Sequence, residues 1–185
     1  MIDVNQLRKG TTFLEEGQIW KVLDYLHNKP GRGNATIRVT VRNMRTGATR
    51  EFTYNSGERV EDIEIENHDV QYLYSDNEFL TFMDLETFEQ PQIRREVFGD
   101  DLLYLQENMQ LQLDMYDGEV IGYELPTTVE QRVVEAEPSF AGDTANNPTK
   151  KVITESGLQV TVPLFVSEND VIRIKTADGS YVTRV

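Results

Sequence analysis

One arginine stands between two glycines in a short segment of turn-forming residues, His27-Asn28-Lys29-Pro30-Gly31-Arg32-Gly33-Asn34. Pro30 fixes its own φ and lacks a backbone donor, while Gly31 and Gly33 permit backbone angles that other residues avoid. A guanidinium is planar, permanently charged and rich in donors, so it suits phosphate and ribose oxygens. The segment therefore indicates a hairpin tip that presents Arg32 to a polyanion. A mobile basic surface loop is the alternative interpretation.

Two strand-like runs flank this segment and would position it. In Thr36–Arg42, the apolar residues Ile37, Val39 and Val41 alternate with polar ones, which is the period of a half-buried strand. Gln18–Tyr25 supplies the preceding run. We call the predicted hairpin the finger, with residues 27–34 as its tip. Five residues out and five back would carry Arg32 at most roughly 16 Å beyond the paired strands, at about 3.3 Å per residue.

Basic charge is concentrated around the finger. No Asp or Glu occurs between Tyr25 and Arg50, whereas six basic residues do: Lys29, Arg32, Arg38, Arg42, Arg45 and Arg50. The whole chain has a net charge of −14, and residues 65–127 hold 2 Lys or Arg against 15 Asp or Glu. A basic finger on an acidic body predicts contact with polyanion at chosen places and repulsion elsewhere. With a pI near 4.5, general nucleic-acid coating is not expected.

The sequence lacks the residues that several classes of function require. The chain has no cysteine, which excludes disulfides, thiol catalysis and thiolate metal sites. There is no run of 18 apolar residues, and Met1–Asn5 does not look like a signal peptide, so we expect a cytoplasmic protein without membrane contact. The two histidines, His27 and His68, have no partner pattern for a metal or a triad. No cofactor, metal or enzymatic activity is expected.

The remainder of the chain predicts further β modules. Residues 70–74 and 79–83 form a clear hairpin signal, and Gly99-Asp100-Asp101 would cap a short helix over Leu102–Met109. With two more strands up to Leu125, this is typical of an OB-type barrel. After Pro126, strands are predicted at Val129–Glu135, Leu158–Val166, Val171–Lys175 and Ser180–Arg184, with a long polar loop at Pro138–Thr149. Pro163 within a strand pattern indicates an edge or a bulge.

Over essentially its full length the chain resembles bacterial elongation factor P. The resemblance rests on short stretches in a fixed order, of which no single one is decisive. They are Lys29-Pro30-Gly31-Arg32-Gly33, Thr46-Gly47, Leu73-Tyr74, Phe82-Met83-Asp84, Glu86-Thr87-Phe88-Glu89-Gln90, Gly142-Asp143-Thr144, Val162-Pro163-Leu164-Phe165-Val166 and Gly179-Ser180-Tyr181-Val182-Thr183-Arg184-Val185.

The resemblance implies an all-β chain of three small barrels in an L-shaped, tRNA-like arrangement. The first, residues 1–64, would be SH3-like (KOW-like), and residues 65–127 and 128–185 would be OB-type barrels. It also implies a monomer that binds the ribosome, contacting rRNA of both subunits, beside peptidyl-tRNA between the P and E sites. There the family promotes peptide-bond formation and relieves stalling at consecutive prolines, and its members are not enzymes in the usual sense.

Site residues carry over by position. The family's tip residue falls on Arg32, and its loop comprises Lys29, Pro30, Gly31 and Gly33. Members with arginine at the tip that carry a rhamnose typically have a Ser-Gly-Arg-Asn tip. This chain keeps the frame of members with an extended lysine, so we expect an unmodified Arg32, with rhamnosylation as the alternative. Positions near the E-site codon or the small subunit match Gly142, Asp143, Thr144, Tyr181 and Arg184.

Arg38, Arg42, Arg45 and Arg50 are predicted to contact RNA phosphates, which would position the first domain without reading sequence. Solvated surface charge is the alternative for the outward-facing pair Arg38 and Arg42. For the whole chain, the alternative function is an OB-type RNA-binding protein acting off the ribosome. That function needs aromatic platforms in a positive groove, whereas the aromatics of residues 65–127 lie in the most acidic third.

Overall fold

The computed structural model describes residues 1–139 and 148–185 of the 185-residue chain. Strands dominate, and they form three antiparallel sheets, which confirms the predicted all-β class. The described chain divides into two compact units, residues 1–68 with 113–123 and residues 69–112 with 124–185. The three-domain boundaries at residues 64 and 127 stay a prediction from the sequence.

The first sheet has six strands in the order β1-β6-β2-β3-β4-β5. A 3-10 turn at Val4–Gln6 follows β1. The buried faces enclose one apolar cluster built around Phe13, Trp20 and Val39, with Phe52 packed against its rim. The strands are β1 (Ile2–Asp3), β2 (Thr12–Glu15), β3 (Gln18–Asn28), β4 (Thr36–Asn43), β5 (Thr49–Asn55) and β6 (Arg59–Asp62).

The second sheet has five strands in the order β11-β10-β7-β8-β9. Between β9 and β10 lie a one-turn helix α1 (Arg95–Phe98) and a 3-10 helix (Gly99–Tyr104). The predicted helix at Leu102–Met109 is therefore wrong in position: Leu105 is extended, and Asn108 has a φ of 67°. The strands are β7 (Glu66–Ser75), β8 (Phe79–Asp84), β9 (Gln92–Arg94), β10 (Gln110–Tyr116) and β11 (Glu119–Glu124).

The third sheet repeats this strand order. Its order β14-β13-β12-β15-β16 is, counted by position within the sheet, the same as that of the second, which is the arrangement expected for a second OB-type module. Among the described strands β14 pairs with β13 alone, so Pro163 ends an edge strand as predicted. The strands are β12 (Thr128–Ala136), β13 (Thr149–Thr154), β14 (Gln159–Pro163), β15 (Val171–Lys175) and β16 (Tyr181–Arg184).

Asp76 closes the β7–β8 hairpin and gives a pH-dependent prediction. Its Oδ1 accepts the backbone N–H groups of Phe79 (2.7 Å) and Glu78 (2.8 Å), and these bonds lower the pKa of the carboxyl. Because the folded-state pKa is lowered, the stabilisation is present above the unfolded pKa of about 3.9. It is lost as the pH falls through the folded-state pKa. Asp76→Ala therefore destabilises the protein at neutral pH, and the difference from the parent shrinks in acid.

Urea unfolding of the parent and of Asp76→Ala across this pH range measures that difference. Asn77→Ala, at the next position of the same exposed turn, is the matched control and has a pH-independent effect. A constant difference between the parent and Asp76→Ala would contradict the assignment of the two N–H bonds to the charged carboxylate.

Candidate nucleic-acid interface

The finger is a long two-stranded ladder. β3 and β4 pair from Trp20 opposite Asn43 out to Asn28 opposite Thr36, with a bulge between Val22 and Asp24. Only residues 29–35 lie beyond the last pair, so His27 and Asn28 belong to the strand rather than to the predicted tip. Arg32 therefore reaches at most about 13 Å beyond the ladder, for roughly four residues at about 3.3 Å each. The finger is shorter past its last pair than the sequence predicts.

Arg32 is exposed at the centre of this tip, and Lys29, Pro30, Gly31 and Gly33 are exposed around it. Among the described residues, the structure gives neither Arg32 nor Lys29 a hydrogen bond or an ion pair. Guanidinium and ammonium groups without intramolecular partners keep all their donors for a ligand.

The two tip glycines differ in their backbone. Gly33 has a φ of +116°, a region that side chains other than glycine avoid, whereas Gly31 lies outside the left-handed region. A Cβ at Gly31 would meet nothing within 4 Å. The interpretation that both glycines serve unusual backbone angles is therefore wrong for Gly31 and right for Gly33.

This difference predicts unequal effects of alanine. Gly33→Ala strains the tip by about 1 kcal/mol, because an L-residue pays roughly that amount in the left-handed region. Tip resonances in an NMR spectrum should shift and the position of Arg32 should change. Gly31→Ala, two residues away, should leave the spectrum near that of the parent. Equal perturbation by both substitutions would contradict the assignment.

Three of the four arginines predicted to contact phosphate are already paired with acids. Arg38 Nε lies 3.4 Å from Glu51, and Arg45 Nη2 lies 2.9 Å from Glu119. Arg50 lies 3.7 Å from Glu16, and its guanidinium stacks over the Phe52 ring at 4.9 Å. These acids fall outside the acid-free stretch of the sequence. Exposed pairs of this kind are worth about 0–1 kcal/mol, so phosphate can replace the carboxylates.

Arg42 differs from the other three, because it has no ion pair among the residues described. It faces outward on β4, where the predicted alternation with buried Val39 and Val41 is confirmed. Directly opposite on β3 lies Lys21, also exposed and without an acidic partner in the described part of the chain. Like charges directly opposite are destabilising, and a bound anion relieves that repulsion. Lys21 therefore joins Arg42 as a candidate phosphate contact.

Sequence reasoning missed Lys21 because it stands in a run dominated by apolar residues. Its signal is the register: residues 12, 21, 42 and 49 form one cross-strand row. Tyr25 was also missed. Its ring is exposed by 41%, and the Arg8 guanidinium lies over it at 5.1 Å, so an aromatic surface is present on β3 midway along the finger.

Of the residues predicted to contact the E-site codon or the small subunit, Tyr181 and Arg184 lie on β16. Gly142, Asp143 and Thr144 fall outside the described residues. Tyr181 is half-buried and packs against the apolar cluster of the third sheet. Arg184 lies over the Phe165 ring at 5.2 Å and donates to Asp170 at 3.4 Å.

Asp170 also serves the local fold. The pKa of its carboxyl is lowered, first by the backbone N–H of Ser167 and then by Arg184. Arg184 therefore has a structural role beside any contact with a partner.

The described residues give little support for a metal site, a histidine site or a membrane-spanning helix. No group of three His, Asp or Glu there could hold a metal ion. His68 pairs with Glu66 at 3.3 Å, and His27 is an exposed strand residue. No helix of the described chain has the length and apolar character needed to span a membrane.

The comparisons with known proteins fit these three sheets. The family model for an elongation factor P KOW-like domain matches residues 3–60, and the model for the elongation factor P OB domain matches residues 65–123. The model for the elongation factor P C-terminal domain matches residues 129–184. The fold is thus that of a translation factor with a KOW-like first domain and an OB second domain, as the sequence predicted. The chain belongs to the elongation factor P family.

Solved structures show the same fold at low identity. One is eukaryotic translation initiation factor 5A from Methanococcus jannaschii, with a TM-score of 0.54 and 22% identity over 68% of this chain and 90% of that chain. Another is a translation initiation factor 5A family protein from Naegleria fowleri, with a TM-score of 0.51 and 15% identity over 67% of this chain and 96% of that chain.

Proposed function

We propose that this factor binds the ribosome between the P and E sites, beside peptidyl-tRNA, and promotes peptide-bond formation at consecutive prolines. The finger is the observation that supports this proposal. In a chain of the elongation factor P family, it presents Arg32, which has no partner among the described residues, at a tip framed by Pro30 and Gly33. We propose that Arg32 hydrogen-bonds phosphate or ribose near the CCA end of the P-site tRNA.

Such a contact accelerates the reaction without a proton transfer by the protein. Peptide-bond formation to proline is slow because the reactants are poorly placed, and holding them in a productive geometry lowers the entropic part of the barrier. A planar guanidinium fork fixes direction as well as distance, which suits this task. The factor then works as a positioning element, and the ribosome performs the chemistry.

The remaining basic residues position the finger on the RNA. Lys21 and Arg42 lie opposite each other and have no acidic partner in the described part of the chain, whereas Arg38, Arg45 and Arg50 exchange their carboxylate partners for phosphates. Phosphate contacts of this kind give register and orientation without sequence information. The net charge of −14 opposes adhesion of the rest of the chain to RNA. We further propose that Tyr181 and Arg184 face the small subunit, as does the loop at 142–144.

The unmodified side chain of Arg32 suffices in this proposal. The guanidinium already carries donors in a fixed fork, and the tip gives it no intramolecular competitor among the described residues. Weighing the tip peptide of the native protein by mass spectrometry distinguishes bare arginine from a rhamnosylated one.

Directed cleavage tests the placement, because the chain has no cysteine and one can be introduced at will. In Asn34→Cys, an iron chelate attached beside Arg32 generates hydroxyl radicals within the ribosome complex. We expect cleavage at the CCA end of P-site tRNA and in neighbouring rRNA. Glu155→Cys, exposed in the third sheet's domain, is the control and should give a different pattern. Absence of tRNA cleavage from position 34, with the factor bound, would contradict the proposal.

A further inference from the structure

Three connections between paired strands of this protein, which we call turns, share one hydrogen-bond pattern over six residues. In each, the N–H of the fifth residue donates to the C=O of the first, and the N–H of the first donates to the C=O of the sixth. The first-to-fifth pairs are Asn43 with Gly47, Asp84 with Phe88, and Lys175 with Gly179, at 2.9 Å in all three. The side-chain oxygens of Asn43 and Asp84 also accept the same two N–H groups of their turns.

The fifth residue of each turn is left-handed. The φ angles are 74° at Gly47, 62° at Phe88 and 72° at Gly179. Two of the turns have glycine there, as this backbone favours, but the β8–β9 turn has a phenylalanine. A bulky side chain in this region is a genuine outlier, and such strain concentrates at functional sites.

Packing does not account for Phe88. Its side chain is 70% exposed, and it makes no aromatic or cation–π contact with the residues described. Buried Asp84 accepts the same backbone N–H groups as Asn43 does in the turn that has glycine at its fifth position. The turn therefore forms without an aromatic side chain at that position. The phenylalanine therefore adds an exposed aromatic surface at a cost to stability.

The acidic residues around the Phe88 ring indicate the charge of its partner. Glu86 and Glu89 are exposed in the same turn, and residues 65–127 carry 15 Asp or Glu against 2 Lys or Arg. RNA phosphates are repelled by such a surface, whereas Arg and Lys side chains are attracted both by the carboxylates and by the face of an aromatic ring. This complementarity favours a basic protein over a nucleic acid.

We propose that the β8–β9 turn is a docking site for a basic protein surface, with an Arg or Lys side chain seated on Phe88 and flanked by Glu86 and Glu89. The inference rests on the proposed ribosomal function, since the partner is sought among the proteins of the ribosome. It assigns the acidic second module a contact separate from the RNA contacts of the finger.

Thermal unfolding tests the premise independently of function. Phe88→Gly removes the strained side chain, and we expect the midpoint to rise by about 3 °C for a chain of this size. Gly47→Phe is the matched control: it places the same ring at the same position of another turn, where a Cβ meets nothing within 4 Å, and should lower the midpoint by a similar amount. A lower midpoint for Phe88→Gly would show that the ring supports the fold and would overturn the inference.

Photo-cross-linking tests the partner. A photo-reactive phenylalanine analogue at position 88 is irradiated with purified ribosomes carrying peptidyl-tRNA, and products are sorted by protease and ribonuclease digestion. We expect a cross-link to a basic ribosomal protein, reduced roughly three- to tenfold by Glu86→Gln with Glu89→Gln. A cross-link to RNA, or none although the factor sediments with ribosomes, would overturn the docking site alone. A factor that does not sediment with ribosomes would overturn the proposed function and this site with it.

Discussion

Arg32→Ala should remove most of the factor's ability to relieve ribosomes stalled at consecutive prolines. A hydrogen bond from a charged donor is worth about 1.5–3 kcal/mol, which corresponds to about 10- to 100-fold in rate. The loss should fall on the rate of peptide-bond formation more than on ribosome affinity, because Arg32 is one exposed contact among several cations of the finger. Single-turnover dipeptide-to-tripeptide kinetics at saturating factor measures the rate separately from binding.

Two further tip variants define what Arg32 contributes. Arg32→Lys keeps the charge but loses the planar fork, so we expect intermediate activity. Lys29→Ala removes the other cation of the tip, which also lacks a partner among the residues that the structure describes. It should weaken binding in a salt-dependent way while leaving the saturated rate largely intact. Full rescue by Arg32→Ala would contradict the positioning role assigned to the guanidinium.

Gln131→Leu should cause the largest loss of stability among single polar substitutions in the third sheet. The Gln131 side chain is completely buried on β12. Its Nε2 donates to the Leu103 carbonyl at 2.7 Å, and its Oε1 accepts from Thr154 (2.5 Å) and Ser156 (2.7 Å). Leucine fills similar space but leaves the Leu103 carbonyl without this donor, and it leaves the hydroxyls of Thr154 and Ser156 only each other, at 3.2 Å. A polar group that loses its partner in this way costs about 1–3 kcal/mol.

We expect a loss of about 3 kcal/mol in the free energy of unfolding and a midpoint lower by roughly 10 °C. Gln159→Leu makes the same chemical change at an exposed position of β14 and should alter the stability by less than about 0.5 kcal/mol. Similar losses in the two variants would show that the buried hydrogen bonds contribute little.

The finger was predictable because local signals agree with each other there. In β4, alternation places Ile37, Val39 and Val41 inside, and Pro30 with the glycines ends the hairpin. The pairing partners of the arginines could not be predicted. Glu51 approaches through strand register, and Glu16 and Glu119 lie at the turns of an earlier and a later hairpin. Sequence distance conceals such contacts.

Strand β13 was missed for a physical reason. Its buried face consists of Lys150, Val152 and Thr154, whereas Ile153 points outward, so its hydrophobic pattern is nearly inverted. Buried Thr154 is satisfied by Gln131, and the Lys150 ammonium lies 3.2 Å from the Ser139 hydroxyl. A polar strand of this kind becomes recognisable only with the partners that satisfy it.

The short helix was misplaced because of Asn108. An Asp-Asp pair before an apolar run is typical of a helix start, yet the helical segment ends at Tyr104. Asn108 is left-handed, and its N–H donates to the carbonyl of Tyr72 on β7, which ties the chain to the sheet. A tertiary hydrogen bond thus overrides the local preference.

Translation of a message encoding three consecutive prolines tests the central claim most directly. Purified ribosomes are supplied with this protein, made in a host that lacks arginine-modifying enzymes, and the full-length product is measured with and without the factor. We expect the unmodified protein to relieve the stall and to leave a proline-free control message unaffected. A stall that persists with the unmodified protein, and also with the native protein whose tip mass has been determined, would contradict it.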